Sequence, residues 1–145
     1  MTDTERSIEK LNEYLRGEIS AVETYNQALR RLTDSPNRLQ LEDCKESHEL
    51  RVVVLRQRIL QEGGHPADSS GMWGTFAKLI EGGARAFGEK AAIAALEEGE
   101  DHGLKLYRDD MRKLGVAARR FVESDLLPAQ EATHRSLSDL KHRLH

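Results

Sequence analysis

The chain has 145 residues, of which 38% are hydrophobic and 32% charged, enough for one ordinary core and too few for two independent domains. Its 22 basic and 25 acidic side chains nearly cancel to a formal charge of −3, which disfavours a generic nucleic-acid binder. Three prolines exclude a Pro-rich linker, a single cysteine excludes an internal disulfide, and no uncharged apolar run has the length of a membrane span. No basic-then-apolar leader opens the sequence, so a cytoplasmic location is expected.

The first apolar row runs through Ile8, Leu11, Leu15, Val22, Tyr25, Leu29 and Leu32 at steps of three and four, one face of a long helix. Its one polar interruption is Glu18. Asp34, Ser35, Pro36 and Asn37 then read as a turn. A second helix is predicted over about 39–62, with Leu41, Val52, Leu55 and Ile59 inward and Lys45 and His48 as the polar intruders. Gly63, Gly64 and Pro66 stop it. Residues 63–88 are Gly-rich and hold the only tryptophan, Trp73. They read as a crossover with a short helix around Trp73–Phe87, long enough to make helices two and three parallel.

Helix three is predicted over about 89–114, with Ile93, Leu96, Gly103, Tyr107, Met111 and Leu114 inward and Glu100 interrupting the row. Helix four covers about 116–144, with Phe121, Leu127, Leu137 and Leu144 inward, and Pro128 kinking or splitting it. Its polar interruptions are Glu131 and His134. An offset of 82 residues lays helix one over helix three, pairing Gly17 with Gly99, Glu18 with Glu100, Tyr25 with Tyr107 and Leu32 with Leu114. His48 and His134 take like places in the second and fourth helices. The expectation is an all-α fold over 1–145: two antiparallel hairpins related by a pseudo-two-fold axis.

A lone carboxylate costs several kcal/mol to bury unless it is paired or bound to a cation. Glu18, His48, Glu100, Glu131 and His134, contributed by all four helices, are therefore the candidate metal ligands. Glu131 and His134, three apart on one helix face, can reach the same ion.

These residues resemble the ferritin-like superfamily. The run LNEYLRGEISAVETY looks like the first helix of bacterioferritin, with a glutamate and a tyrosine seven residues on. The Gly-Gly-x-Pro end of helix two resembles rubrerythrin-type bundles. The runs EGGHPADSSGMWGTF and FGEKAAIAALEEGEDHGLKLY are similar to a bacterial four-helix family within that superfamily, known as a domain of unknown function. The resemblance covers nearly the whole chain. It implies a ferritin-like four-helix bundle, Glu18 and Glu100 as terminal or bridging ligands, His48 as the helix-two imidazole, and Glu131 with His134 as the helix-four pair. Iron or another divalent metal would be the cofactor, and di-iron-type redox or iron handling the activity.

Position 45 departs from that pattern, which has Glu three residues before the helix-two histidine where this chain has Lys45. An ammonium does not ligate while protonated and opposes a second metal ion. The competing expectation is a non-catalytic bundle whose interior is a Lys/Glu/His network, Lys45 pairing with Glu18 or Glu131 and the histidines satisfying Glu100. Such a protein would act in stress-related assembly or protein interaction. The helical faces are compatible with a homodimer.

Overall fold

The computed structural model describes residues 1–71 and 88–144, and the expected short helix around Trp73–Phe87 lies outside them. The described residues form helices and connecting turns: α1 (Asp3–Arg31), α2 (Arg38–Gln61), α3 (Glu89–Asp110), α4 (Val116–Phe121) and α5 (Leu127–Leu144). A 3-10 turn, Met111–Lys113, follows α3, and a π turn, Val122–Leu126, joins α4 to α5 into one C-terminal helical segment. Among the described residues no helix is long and apolar enough to cross a membrane.

α1 begins five residues earlier than its apolar row, because Thr2 and Glu5 form a capping box. The Thr2 hydroxyl accepts the Glu5 N–H at 3.1 Å, and the Glu5 carboxylate accepts the Thr2 N–H at 3.0 Å. α2 ends where Gly63 takes a φ of +86°. That turn lets the Gly64 N–H reach the Ile59 carbonyl at 2.9 Å, the long-range bond of a Schellman motif.

α1 packs chiefly on α2, and α3 on α5. Contacts at the helix ends set their order. Gly64, just past α2, lies against Ile8 near the start of α1, where a Cβ would come within 2.6 Å of the Ile8 side chain. Arg38, opening α2, donates to the Leu29 carbonyl near the end of α1 at 2.6 Å. Glu89, opening α3, bonds with Ser35 and with Asn37, just before α2. Near the end of α5, Arg143 donates to Gln40 at 3.1 Å.

Pro128 does not break the C-terminal segment. Proline has no N–H and its ring collides with the carbonyl four residues back, and both problems ease where the helix widens by one residue. The Leu127 N–H accordingly bonds to the Val122 carbonyl, five residues back. The widening also decides which face of α5 turns inward. Leu126 is fully buried and Leu127 only partly, so the inward row continues through Gln130, Thr133, Leu137 and Leu140.

The core is apolar at both ends and polar in the middle. One apolar cluster gathers Tyr25, Leu29, Leu41, Cys44, Ile93 and Leu137. The other gathers Leu11, Leu15, Leu55, Ile59, Tyr107 and Leu126. Between these two groups every long helix carries buried polar residues: Glu18, His48, Arg51, Glu100, Gln130 and Thr133.

Candidate functional site

Three of the five candidate ligands meet in that middle layer. The His48 ring lies between two carboxylates, its Nδ1 2.6 Å from Glu18 Oε2 and its Nε2 2.7 Å from Glu100 Oε2. Both partners are acceptors only, so both ring nitrogens donate and the ring is an imidazolium. Arg51, 2% exposed, supplies a second cation. Its guanidinium donates to Glu18 Oε1 at 3.2 Å, to Thr133 Oγ1 and Ser47 Oγ at 3.1 Å each, and to the Gln130 side-chain carbonyl. Two carboxylates thus face two cations, and the layer is neutral.

Hydroxyls and an amide complete it. Tyr25 donates to Glu100 Oε2 at 2.6 Å, and Tyr107 to Glu18 Oε1 at 2.8 Å, so each tyrosine serves the carboxylate of the other repeat. Thr133 donates to Glu100 Oε1 at 2.6 Å, and the Gln130 amide to the same oxygen at 3.0 Å. Burial alone would raise the Glu100 carboxyl, but the adjoining imidazolium and the Thr133 and Tyr25 hydroxyls bring it down to about 2. Glu18 is likewise held below its ordinary value, burial being outweighed by Arg51 and His48. His48 is raised, because Glu100 and Glu18 outweigh its burial. Burial and the adjacent carboxylate push both Tyr25 and Tyr107 well up. These tyrosines are hydrogen-bond donors at neutral pH.

Glu131 and His134 are not brought to this layer. Glu131 meets Arg108 at 3.3 Å in a half-exposed ion pair. His134 Nε2 lies 3.6 Å from Asp101 and 3.9 Å from Glu97, on the flank of α3. Stepping the inward row from Leu127 reaches these two residues. The row passes through Leu126 instead, and one residue on a helix is a rotation of 100°. Lys45 is displaced for a similar reason: Cys44 is buried on the inward row and Lys45 sits half-buried beside it. The interior cation is Arg51, six residues further on.

The repeat holds one signal for Arg51, Gln130 and Thr133, their pairing, but not which face of each helix turns inward. Holding the offset at 82 through the second and fourth helices pairs His48 with Gln130 and Arg51 with Thr133. Matching His48 to His134 lets that offset slip by four, one turn of helix. The repeat is visible in the bonding too, since Arg51 serves Glu18 as Thr133 serves Glu100.

A cavity of about 50 Å³ adjoins the layer, with Gly17, Ala21, Gly99 and Gly103 in its wall beside both carboxylates. It has room for water. Among the described residues no group of three or more His, Cys, Asp or Glu side chains is arranged to hold a metal ion. The reason at the layer itself is that His48 spends one nitrogen on each carboxylate, so the three groups share no common point.

No curated protein and no solved structure matches the chain. Residues 6–113 match a family described as a domain of unknown function, DUF2383. That match spans well over half of the sequence, and the chain belongs to the DUF2383 family.

Proposed function

We propose that this protein is a ferritin-like four-helix bundle, two antiparallel hairpins joined by a crossover, in which protein cations do the work of metal ions. The role is non-catalytic: a rigid helical scaffold for assembly with protein partners. The helix-end contacts support the topology, and the 82-residue repeat supports the pseudo-two-fold. A di-iron bundle needs one Glu from each of two helices and Glu-x-x-His from each of the other two. Glu18 and Glu100 supply the first pair. At the same three-residue spacing the other two helices carry His48 with Arg51 and Gln130 with Thr133.

That set does not fit two metal ions. A guanidinium neither ligates nor loses its proton, the imidazole is protonated on both nitrogens, and an amide and a hydroxyl are weak neutral donors. The observation that carries the reading is the His48 ring seated between Glu18 and Glu100 at hydrogen-bond distance on both sides. Such networks are costly to bury, and their best-attested benefit is to fix one register among helices that could otherwise slide.

The test is elemental analysis of protein purified without a histidine tag, before and after anaerobic Fe(II) addition, with thermal melts in chelator. The expected result is substoichiometric metal and an unchanged melting temperature. Stoichiometric metal lost on Glu18→Gln would overturn the reading.

A further inference from the structure

α2 carries apolar side chains around its whole circumference. Leu41, Val52, Leu55 and Ile59 face the core, yet Leu39, Leu50, Val53 and Leu60 are 75%, 66%, 50% and 62% exposed on the opposite side. These four, with Asp43, Glu46 and Gln57, fall at alternating steps of three and four along 39–60. They form a straight outer row about 30 Å long. The large apolar residues exposed elsewhere among the described residues, Met1 and Val116, are scattered. A helix that is apolar on every side is one that is covered on every side.

The charges on and beside this row let a second copy cover it in one sense and not the other. The amino-terminal half presents Asp43, Glu46 and Glu49, and the carboxy-terminal half presents Arg56 and Gln57, all exposed. A parallel in-register pair of such helices sets Asp43 against Asp43 and Glu46 against Glu46. An antiparallel pair, with its two-fold axis between Leu50 and Val53, sets Leu50 against Val53 of the partner subunit. It also brings Glu46 opposite the partner's Gln57 and Glu49 within reach of the partner's Arg56. Each contact occurs twice by symmetry.

We propose that the outer face of α2 is a homodimer interface, two copies of this chain packing α2 against α2 antiparallel about Leu50 and Val53. Glu49 and Arg56 flank that centre as reciprocal ion pairs. The proposal supplies the partner that the scaffold reading calls for, and it is read by oligomeric state, independently of metal content. A row of this size lies at the small end of specific interfaces, so the dimer dissociates on dilution.

Sedimentation equilibrium on the full chain, over a wide concentration range, tests it. The wild type is expected to show a reversible monomer–dimer equilibrium. Leu50→Glu should be monomeric throughout with unchanged helical circular dichroism, because the residue faces solvent in the monomer. Arg56→Glu should weaken dimerisation about 10-fold or more, and Glu49→Arg combined with Arg56→Glu should restore it. A wild type that stays monomeric at high micromolar concentration would overturn the proposal. So would a dimer indifferent to Leu50→Glu, or a charge-swapped double variant as weak as Arg56→Glu alone.

Discussion

His48 and Gln130 close on opposite oxygens of one carboxylate: His48 Nε2 lies 2.7 Å from Glu100 Oε2, and the Gln130 amide donates to Oε1 at 3.0 Å. The two are 82 positions apart, as are Arg51 and Thr133. The 82-residue repeat is therefore kept in position and broken in charge. α2 contributes both cations, and α5 contributes the neutral amide and hydroxyl at the matching sites. The positive charge of the layer is concentrated on one helix.

Arg51 is the side chain whose removal should cost most. Arg51→Met keeps much of the volume but leaves the Glu18 carboxylate with one cation and strands the Gln130 and Thr133 oxygens. Breaking a buried pair from one side is expected to cost about 3–5 kcal/mol. Arg51→Lys keeps the charge and loses the planar fork, so a smaller loss of about 1–3 kcal/mol is expected. Urea denaturation reads both, and equal losses would mean that geometry rather than charge is what Arg51 supplies.

The same layer sets the pH profile of stability. Glu100 titrates near 2 in the folded protein and Glu18 below its ordinary 4.5, so their contribution is full above about 4.5. It is lost as the pH falls toward 2. His48 is raised above 6.5, so its contribution is full below 6.5 and is lost as the pH rises through the folded value. Unfolding free energy should peak between about 4.5 and 6.5 and decline on both sides. Glu18→Gln should flatten the acid limb. A profile still rising steadily from pH 6.5 to 8 would contradict the protonated His48.

Gly103→Ala should destabilise, although alanine is favoured over glycine in a helix by about 1 kcal/mol. A Cβ at position 103 would come within 2.9 Å of the Gln130 amide nitrogen. That amide is held by Glu100 on one side and Arg51 on the other, so moving it aside sacrifices those bonds. A net loss of about 1–2 kcal/mol is expected by thermal or urea unfolding. Pairing it with Gln130→Ala should remove most of the penalty added by the glycine substitution.

On the ferritin-like reading proposed above, ligand chemistry rather than backbone placement separates this layer from a two-metal centre. His48→Glu, Arg51→His, Gln130→Glu and Thr133→His together restore the carboxylate-x-x-imidazole spacing on α2 and α5. That quadruple variant should bind Co(II) or Fe(II) stoichiometrically, as read by elemental analysis and Co(II) visible spectra. Lys45→Glu alone should gain nothing, since Cys44 and not Lys45 occupies the inward row. Metal uptake by Lys45→Glu, with none by the quadruple variant, would place the site elsewhere.

The turn at Pro36 could be read from its Asp-Ser-Pro-Asn run, and helix existence from periodicity, because a 3.6-residue row of apolar side chains is a local property that survives any tertiary arrangement. Glu18, Glu100, Tyr25 and Tyr107 were legible for the same reason, and the repeat linking them belongs to the sequence itself. The second and fourth helices were harder. In α2 the apolar residues lie on every side, so no single face stands out and Lys45 competes with Cys44 for the inward row. In the C-terminal segment the π turn ahead of Pro128 fixes which face points inward. Leu126 and Leu127 are equally apolar, and only packing chooses between them.

By itself, then, the sequence determined an all-helical chain with paired carboxylates at matching depths. Tertiary structure decided what answers those carboxylates. Helix position along the axis is encoded by residue number, whereas rotation about the axis is settled by which neighbours fill the space. A one-residue change in the inward row turns a side chain by 100°. That rotation moved Glu131, His134 and Lys45 to the flanks, and brought Arg51, Gln130 and Thr133 to the centre.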